Sequence, residues 1–271
     1  MKLKIMQYNI RTGFRNTEKP YDFEGERIKF AQKIIKKENP DILILNEAYF
    51  ESKNKSNIIM DYSKIFGFPF YAHGNYTKGL SPFWGHALLS KYPITKALNK
   101  SKGLAGLFRT KIKIGQKIVN IDIIHISPIP FLSSKKQEAF VKKILIGKKE
   151  NYILSGDFNS LSPKDDYHEK KMIEAWSKFE KNAKNVIKEM LKRDAVRFVL
   201  SKNLLDTFKE KNKKFDFTIP TDFLSKDKTS GIRIDFIFCS KEFKIANSGI
   251  IKNKLAEKAS DHYPIYAVLE I

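Results

Sequence analysis

With 271 residues, 42% of them hydrophobic and 13% aromatic, the chain has material for a substantial core in one large domain or two small ones. A single cysteine, Cys239, excludes a disulfide framework and a thiolate metal cluster, and no apolar run reaches signal-peptide or membrane-spanning length, so a cytoplasmic location without a transmembrane helix is expected. The net charge of +21 favours polyanionic partners, nucleic acid first, although only seven of the 51 basic residues are arginine and the lysines are spread over the whole chain.

Leu3, Ile5, Met6 and Tyr8 make residues 2–9 a strand. A helical pattern runs from Tyr21 to Glu38, with Ile28, Phe30, Ala31, Ile34 and Ile35 on its apolar side, and stops at Asn39-Pro40. Asp41 to Leu45 is a continuous apolar strand followed by Asn46-Glu47-Ala48. Ile58 to Phe66 reads as a short helix, and Phe68 to Ala72 and Trp84 to Ser90 as strands. Gly115-Gln116, between the runs Leu107–Ile114 and Lys117–Ile126, signals a hairpin. Ser133 to Ile146 is helical, with Ser133 or Ser134 as its cap. Tyr152 to Gly156 is a short buried strand, and Gly156 permits a sharp exit or a close approach.

Pro163 to Leu200 differs in texture. Ile173, Trp176, Phe179, Ala183, Val186, Ile187, Met190 and Leu191 recur at helical spacing among lysines and glutamates, the pattern of an amphipathic helix or helix pair lying on the body. Strands are expected again at Phe215–Ile219, Ile232–Cys239, Phe243–Ile251 and Tyr263–Ile271. Many of these strands are continuous apolar runs, which implies sheets covered on both faces. The expected fold class is α/β, with two packed sheets and helices outside them. No linker or repeat divides the chain, so one domain over 1–271 is expected, with 163–200 as a helical insertion.

Polar residues interrupt the strands at their ends. Asn9 follows the first strand and Glu47 the second; His125 ends Ile121-Asp122-Ile123-Ile124. Asp157 and Asn159 close the strand at 152–156, and both point the same way if its alternation continues. Asp235 sits inside Arg233-Ile234-Asp235-Phe236-Ile237, where a lone buried carboxylate needs a partner. Ser260-Asp261-His262 precedes the last strand. If these segments share one rim, the result is an oxygen-rich site suited to Mg²⁺ or Mn²⁺.

In order along the chain, the motifs Tyr8-Asn9-Ile10-Arg11, Pro40-Asp41-Ile42 with Asn46-Glu47, and Gly85-His86-Ala87-Leu88-Leu89-Ser90 come first. His125-Ile126-Ser127, Gly156-Asp157-Phe158-Asn159, Arg233-Ile234-Asp235-Phe236-Ile237 and Ser260-Asp261-His262-Tyr263-Pro264 follow. This ordered set resembles the endonuclease/exonuclease/phosphatase superfamily. The resemblance implies a four-layer α/β sandwich and metal-dependent cleavage of a phosphoester by water. Carried over by position, Glu47 is the main Mg²⁺ ligand, Asn9 binds metal or phosphate beside it, and Asp261 completes the metal side. Asp157 orients or deprotonates the attacking water, and Asn159 holds that water or a phosphate oxygen. His262 contacts the scissile phosphate, steadied by Asp235, and His125 binds phosphate or assists the leaving group.

Some positions depart from one branch or another. Arg11 stands where abasic-site endonucleases carry an acid, Asn46 where they carry glutamine, and His125 where they carry an aromatic residue. The histidine pair is closer to deoxyribonucleases and sphingomyelinases. The expected activity is a Mg²⁺-dependent phosphodiesterase acting on DNA or RNA as a monomer, with small or lipid phosphoesters as the alternative substrates and a non-catalytic phosphate-binding module as the alternative of another class. His73, His86 and His168 are expected to be ordinary structural or surface histidines, His86 with a possible place at the periphery of the site.

Overall fold

Alternation along the central strands sets the architecture. The computed structural model describes residues 1–14, 25–50, 58–76, 84–103, 105–147 and 150–271. Its first half gives β1 (Lys2–Asn9), α1 (Glu26–Glu38), β2 (Ile42–Tyr49), α2 (Ile58–Phe66), β3 (Phe70–Asn75), β4 (Trp84–Ser90), β5 (Ile94–Asn99), β6 (Ala105–Ile114) and β7 (Lys117–Ile126). Then come α3 (Ser134–Ile144), β8 (Tyr152–Asp157), α4 (Glu169–Trp176), α5 (Ala183–Met190), α6 (Asp194–Ser201), β9 (Leu205–Asp206), α7 (Thr207–Lys211), β10 (Asp235–Cys239), β11 (Lys244–Ile250), α8 (Ala256–Ala259) and β12 (Ile265–Glu270). The strands form two six-stranded sheets, ordered β11-β12-β1-β2-β4-β3 and β5-β6-β7-β8-β10-β9.

Each sheet is mixed and has its parallel pair at the centre: β1 with β2, joined through α1, and β7 with β8, joined through α3. A parallel pair needs such a crossover, and the helix covers the outer face of the sheet. The helix α1 packs on the first sheet with Met6, Tyr8, Leu43 and Leu45, and α3 on the second with Ile124, Ile126, Leu154 and Phe238. The inner faces meet through Leu3, Ile5, Ile42, Ile44 and Leu88 on one side and Phe108, Ile121, Ile123, Ile153 and Ile237 on the other. Each such side chain, fully buried, contributes about 1.5–3 kcal/mol. The molecule is therefore an α/β sandwich with helices outside two packed sheets.

The inward stripe changes character toward one end of the sandwich. Leu3 and Ile5 are followed at period two by Gln7 and Asn9, Ile42 and Ile44 by Asn46, and Ile121 and Ile123 by His125. Ile153 is followed by Ser155 and Asp157; on the antiparallel strands Leu88 is preceded by His86, and Ile237 by Asp235. The carboxyl ends of β1, β2, β7 and β8 thus meet the amino ends of β10 and β12, and the inter-sheet core turns polar there.

Several sequence expectations are adjusted. The first helix begins at Glu26, and the earlier part of the run from Tyr21 lies outside the described residues. Ser133 occupies the cap of α3 without a side-chain cap bond, while Ser134 Oγ donates to Asp194 Oδ2 at 3.0 Å and ties α3 to α6. Phe215–Ile219 is not a strand; only Ile219 bridges to Ile232, because Pro220 has no amide hydrogen to continue a ladder. The segment 163–200 holds three short helices rather than one or two. α4 and α5 pack with Leu161, Ile232 and Ile234, whereas α6 joins the outer layer over the second sheet through Ala195, Val196 and Val199.

Candidate active site

Strand register builds the site in rows. On the second sheet His125 is paired with Asp157 across β7 and β8, and Asp157 with Asp235 across β8 and β10. Gly156 makes this spacing possible. Its φ is +141°, and a Cβ there would stand 1.9 Å from Ile124 O on β7. On the first sheet Asn9 is level with Asn46. Alternation alone would turn Glu47 away from this face. A bulge between Leu45 and Ala48 in the β2–β4 pairing, with Glu47 at φ +56°, turns it back toward Asn9.

Asp157 Oδ2 is the focus of the cluster. Asn9 Nδ2 donates to it at 3.0 Å and to Glu47 Oε1 at 3.2 Å, bracing one carboxylate against the other across the two sheets. His125 Nε2 lies 3.7 Å from the same oxygen and His262 Nε2 3.8 Å, so two imidazoles flank it just beyond hydrogen-bond distance. His262 Nδ1 donates to Asp235 Oδ2 at 2.8 Å. Burial alone would depress the His262 pKa, but Asp235 outweighs it and, with Asp261 and Asp157, raises it well above the ordinary imidazole value. That shift favours the imidazolium, whose Nε2–H faces the cleft. Asp157 is pushed the other way for a carboxyl, upward, first by burial and then by Asp235 directly across the ladder.

His125 is set by a residue that sequence reasoning missed. Tyr76 Oη accepts from Glu47 N–H at 3.2 Å and lies 2.9 Å from His125 Nδ1. Burial, then Glu47, keeps the phenol protonated, so its hydrogen goes to Nδ1. His125 Nε2 then carries its proton toward Asp157 and Glu47. Gly106, level with His125 on β6, leaves the room for this, since a Cβ would meet Tyr76 Cε1 at 2.6 Å and His86 Nε2 at 2.5 Å. Nothing local to Tyr76 marks it in the sequence; register alone reveals it.

Six expected residues converge: Asn9, Glu47, His125, Asp157, Asp235 and His262. Asn9 offers its amide hydrogens to the two carboxylates, and its oxygen is taken by Arg11 N–H at 3.1 Å. Asn159 does not extend the alternation of β8. It sits at φ +45°, donates its N–H to Asp157 Oδ1 at 2.9 Å, and donates its side-chain amide to Ile126 O at 2.8 Å. Asp261 stands at the edge, where Arg11 Nη1 holds its Oδ2 at 3.0 Å. His86 is fully buried, with Nδ1 2.9 Å from Asn46 Nδ2.

The sequence matches the model of the endonuclease/exonuclease/phosphatase family over residues 6–262. No curated protein matches the chain. The fold is shared with an endonuclease/exonuclease/phosphatase from Bacteroides vulgatus, 15% identical, covering 100% of this chain and 99% of that one at a TM-score of 0.70. It is shared too with an AP endonuclease from Archaeoglobus fulgidus, 21% identical over 99% and 100% of the two chains, at 0.66. A third is the 3′ phosphatase NExo from Neisseria bound to a product DNA hairpin, 15% identical over 99% and 100%, at 0.68. At these identities the likeness is one of fold.

Proposed function

The chain belongs to the endonuclease/exonuclease/phosphatase family, a family of phosphoester hydrolases, and on that premise we propose that it is a Mg²⁺-dependent phosphodiesterase that cuts nucleic acid. The observation that carries the reading is the row His125–Asp157–Asp235 set against a protonated His262: a base between two donors. Asp157 accepts the proton of the attacking water. Its raised pKa makes it a stronger base than an ordinary carboxylate, and such a base is worth about 10²–10⁴-fold in rate. As the water oxygen bonds to phosphorus, the ester P–O bond on the far side breaks. His262 Nε2–H bonds to a phosphoryl oxygen, and His125 Nε2–H donates a hydrogen bond to the departing oxygen, which takes its proton from solvent water. Asn159, pinned on both sides, holds Asp157 Oδ1 in place.

The donor set fits a hard divalent cation. Glu47, Asp157, Asp235 and Asp261 bring four carboxylates together against Arg11 and the His262 cation. Asp157, Asp235 and His262 present donor atoms within 4.8 Å of one another. His262 and Asp235 are occupied with each other, and an imidazolium repels a cation. Glu47, with Asn9 and Asp261, is therefore the side that would hold Mg²⁺, with Mn²⁺ as a substitute. Bound there, the ion supplies charge neutralisation to the phosphoryl oxygens.

Nucleic acid is favoured as substrate by the net charge of +21 and by the DNA hairpin bound to the Neisseria phosphatase of the same fold. The test is hydrolysis of a panel of duplex and single-stranded DNA, RNA, abasic DNA and a small phosphodiester, after EDTA treatment and after Mg²⁺ is restored. Cleavage of nucleic acid that vanishes with EDTA and returns with Mg²⁺ is expected. Hydrolysis of the small ester alone would move the substrate to the small or lipid class, and no turnover with any of them would remove the enzymatic reading.

A further inference from the structure

A hydrogen-bonded chain of buried side chains runs from the first sheet to the back of Asp235. Asn46 donates one amide hydrogen to His86 Nδ1 at 2.9 Å and the other to Ile124 O at 2.9 Å. Asn46 Oδ1 accepts from Gln7 Nε2 at 2.8 Å, and the second Gln7 hydrogen goes to Asp235 Oδ1 at 3.1 Å. The other Asp235 oxygen takes His262 Nδ1–H. Gln7, Asn46 and His86 are all fully buried.

The chain has one workable polarity. His86 must accept at Nδ1, so it must be neutral, and burial depresses its pKa in that direction. Asn46 is then held at two points and can only offer its oxygen to Gln7. Gln7, held by that oxygen, has one hydrogen left, and it is aimed at Asp235. Gln7 Oε1, meanwhile, is buried with no hydrogen-bond partner among the described residues. A buried carbonyl left without a partner opposes folding. Filling space between the sheets does not account for it, because an apolar side chain of the same length would fill it without that penalty.

We propose that Gln7, held by Asn46 and His86, is a positioning residue that fixes the carboxylate plane of Asp235 and so the ring of His262. The proposal rests on the hydrolytic role of His262 proposed above. With Oδ1 held by Gln7 and Oδ2 by His262, the carboxylate has no free rotation, and His262 Nε2 is kept level with Asp157. Without the first anchor the Asp235–His262 bond survives but the pair can swing as a unit.

Gln7→Met keeps the length of the side chain and removes the donor together with the orphan carbonyl. Expected is a fall in kcat of about 10-fold, in the range typical of lost supports behind a reacting group, with KM nearly unchanged. The thermal midpoint should stay level or rise, which a merely structural role would not give. The downfield proton resonance of His262 Nδ1–H should broaden in the same variant. At the far end of the chain, His86→Leu should lower kcat in the same direction, and His86→Asn, which keeps an acceptor facing Asn46, should restore most of that loss. A Gln7→Met protein with wild-type kcat and an unaltered His262 resonance would overturn the proposal. If the wild-type protein hydrolyses no phosphoester, the functional reading falls, and the resonance still decides whether Gln7 positions His262.

Discussion

Two buried ionic clusters lie two residues apart on the same stretch of chain, and they are built to opposite ends. Arg233 is 1% exposed; its guanidinium meets Asp206 with two bonds, at 3.1 and 2.8 Å, and Asp165 through Nε at 2.8 Å. Lys209 stands 3.4 Å from the other Asp165 oxygen. Two cations face two anions, and burial, which alone would lower the Arg233 pKa, is overcome by Asp206 and Asp165. This cluster fastens the loop at Asp165 to β9 and β10. At Asp235 the anions outnumber the cations, one carboxylate is forced up in pKa, and two imidazoles stand off at 3.7 and 3.8 Å. Complete compensation gives a rivet. Incomplete compensation leaves groups with interactions still to make, and that is where substrate chemistry belongs.

The comparison breaks if the two clusters respond alike to mutation. The largest expected effect is on rate: Asp157→Asn should lower kcat by about 10²–10⁴-fold while leaving the thermal midpoint unchanged or higher, since it relieves repulsion from Asp235. Arg233→Met should do the reverse. It strands Asp206 as a buried unpaired charge and leaves Asp165 with Lys209 alone, a loss of about 3–5 kcal/mol, measurable by denaturant unfolding, with the kcat of the molecules that remain folded preserved. A stable Arg233→Met protein, or an Asp157→Asn protein as active as the wild type, would erase the distinction.

A smaller effect sharpens the comparison by pH. The Asp157 carboxyl has a folded pKa above its unfolded value, so its contribution to stability is present at low pH and is lost as pH climbs from the ordinary carboxylate range through the raised value. A divalent cation offsets that loss only where the carboxylates are ionised. Mg²⁺ should therefore raise the thermal midpoint more at about pH 8 than at about pH 4, and Glu47→Gln should shrink the difference. An equal shift at both pH values would place the cation away from this cluster.

The fold was legible because it is written in runs of apolar residues. β1, β4 and β7 begin and end where the sequence places them, and the continuous runs imply the covered sheets that are observed. The site was legible where a charged or imidazole residue interrupts such a run, as at Glu47, His125, Asp157 and Asp235. Gln7, Tyr76 and Asp206 escaped because what marks each of them is a partner distant in sequence. The amide of Gln7 matters only because it faces Asp235, 228 positions away. The short β9 and α7 were missed for a similar reason: Asp206 caps α7 through a bond to Lys209 N–H, yet two strand residues and five helical ones carry too little periodicity to stand out.

The most direct test of a single reactive centre shared by the two sheets is a double-mutant cycle on kcat/KM, with Asp157→Asn, His262→Gln and the combined variant. Groups that act on one phosphoryl transfer fail together, so the double variant should be barely worse than the poorer single one. Losses that simply multiply would mean that the two side chains serve separate events, and a shared centre would be contradicted.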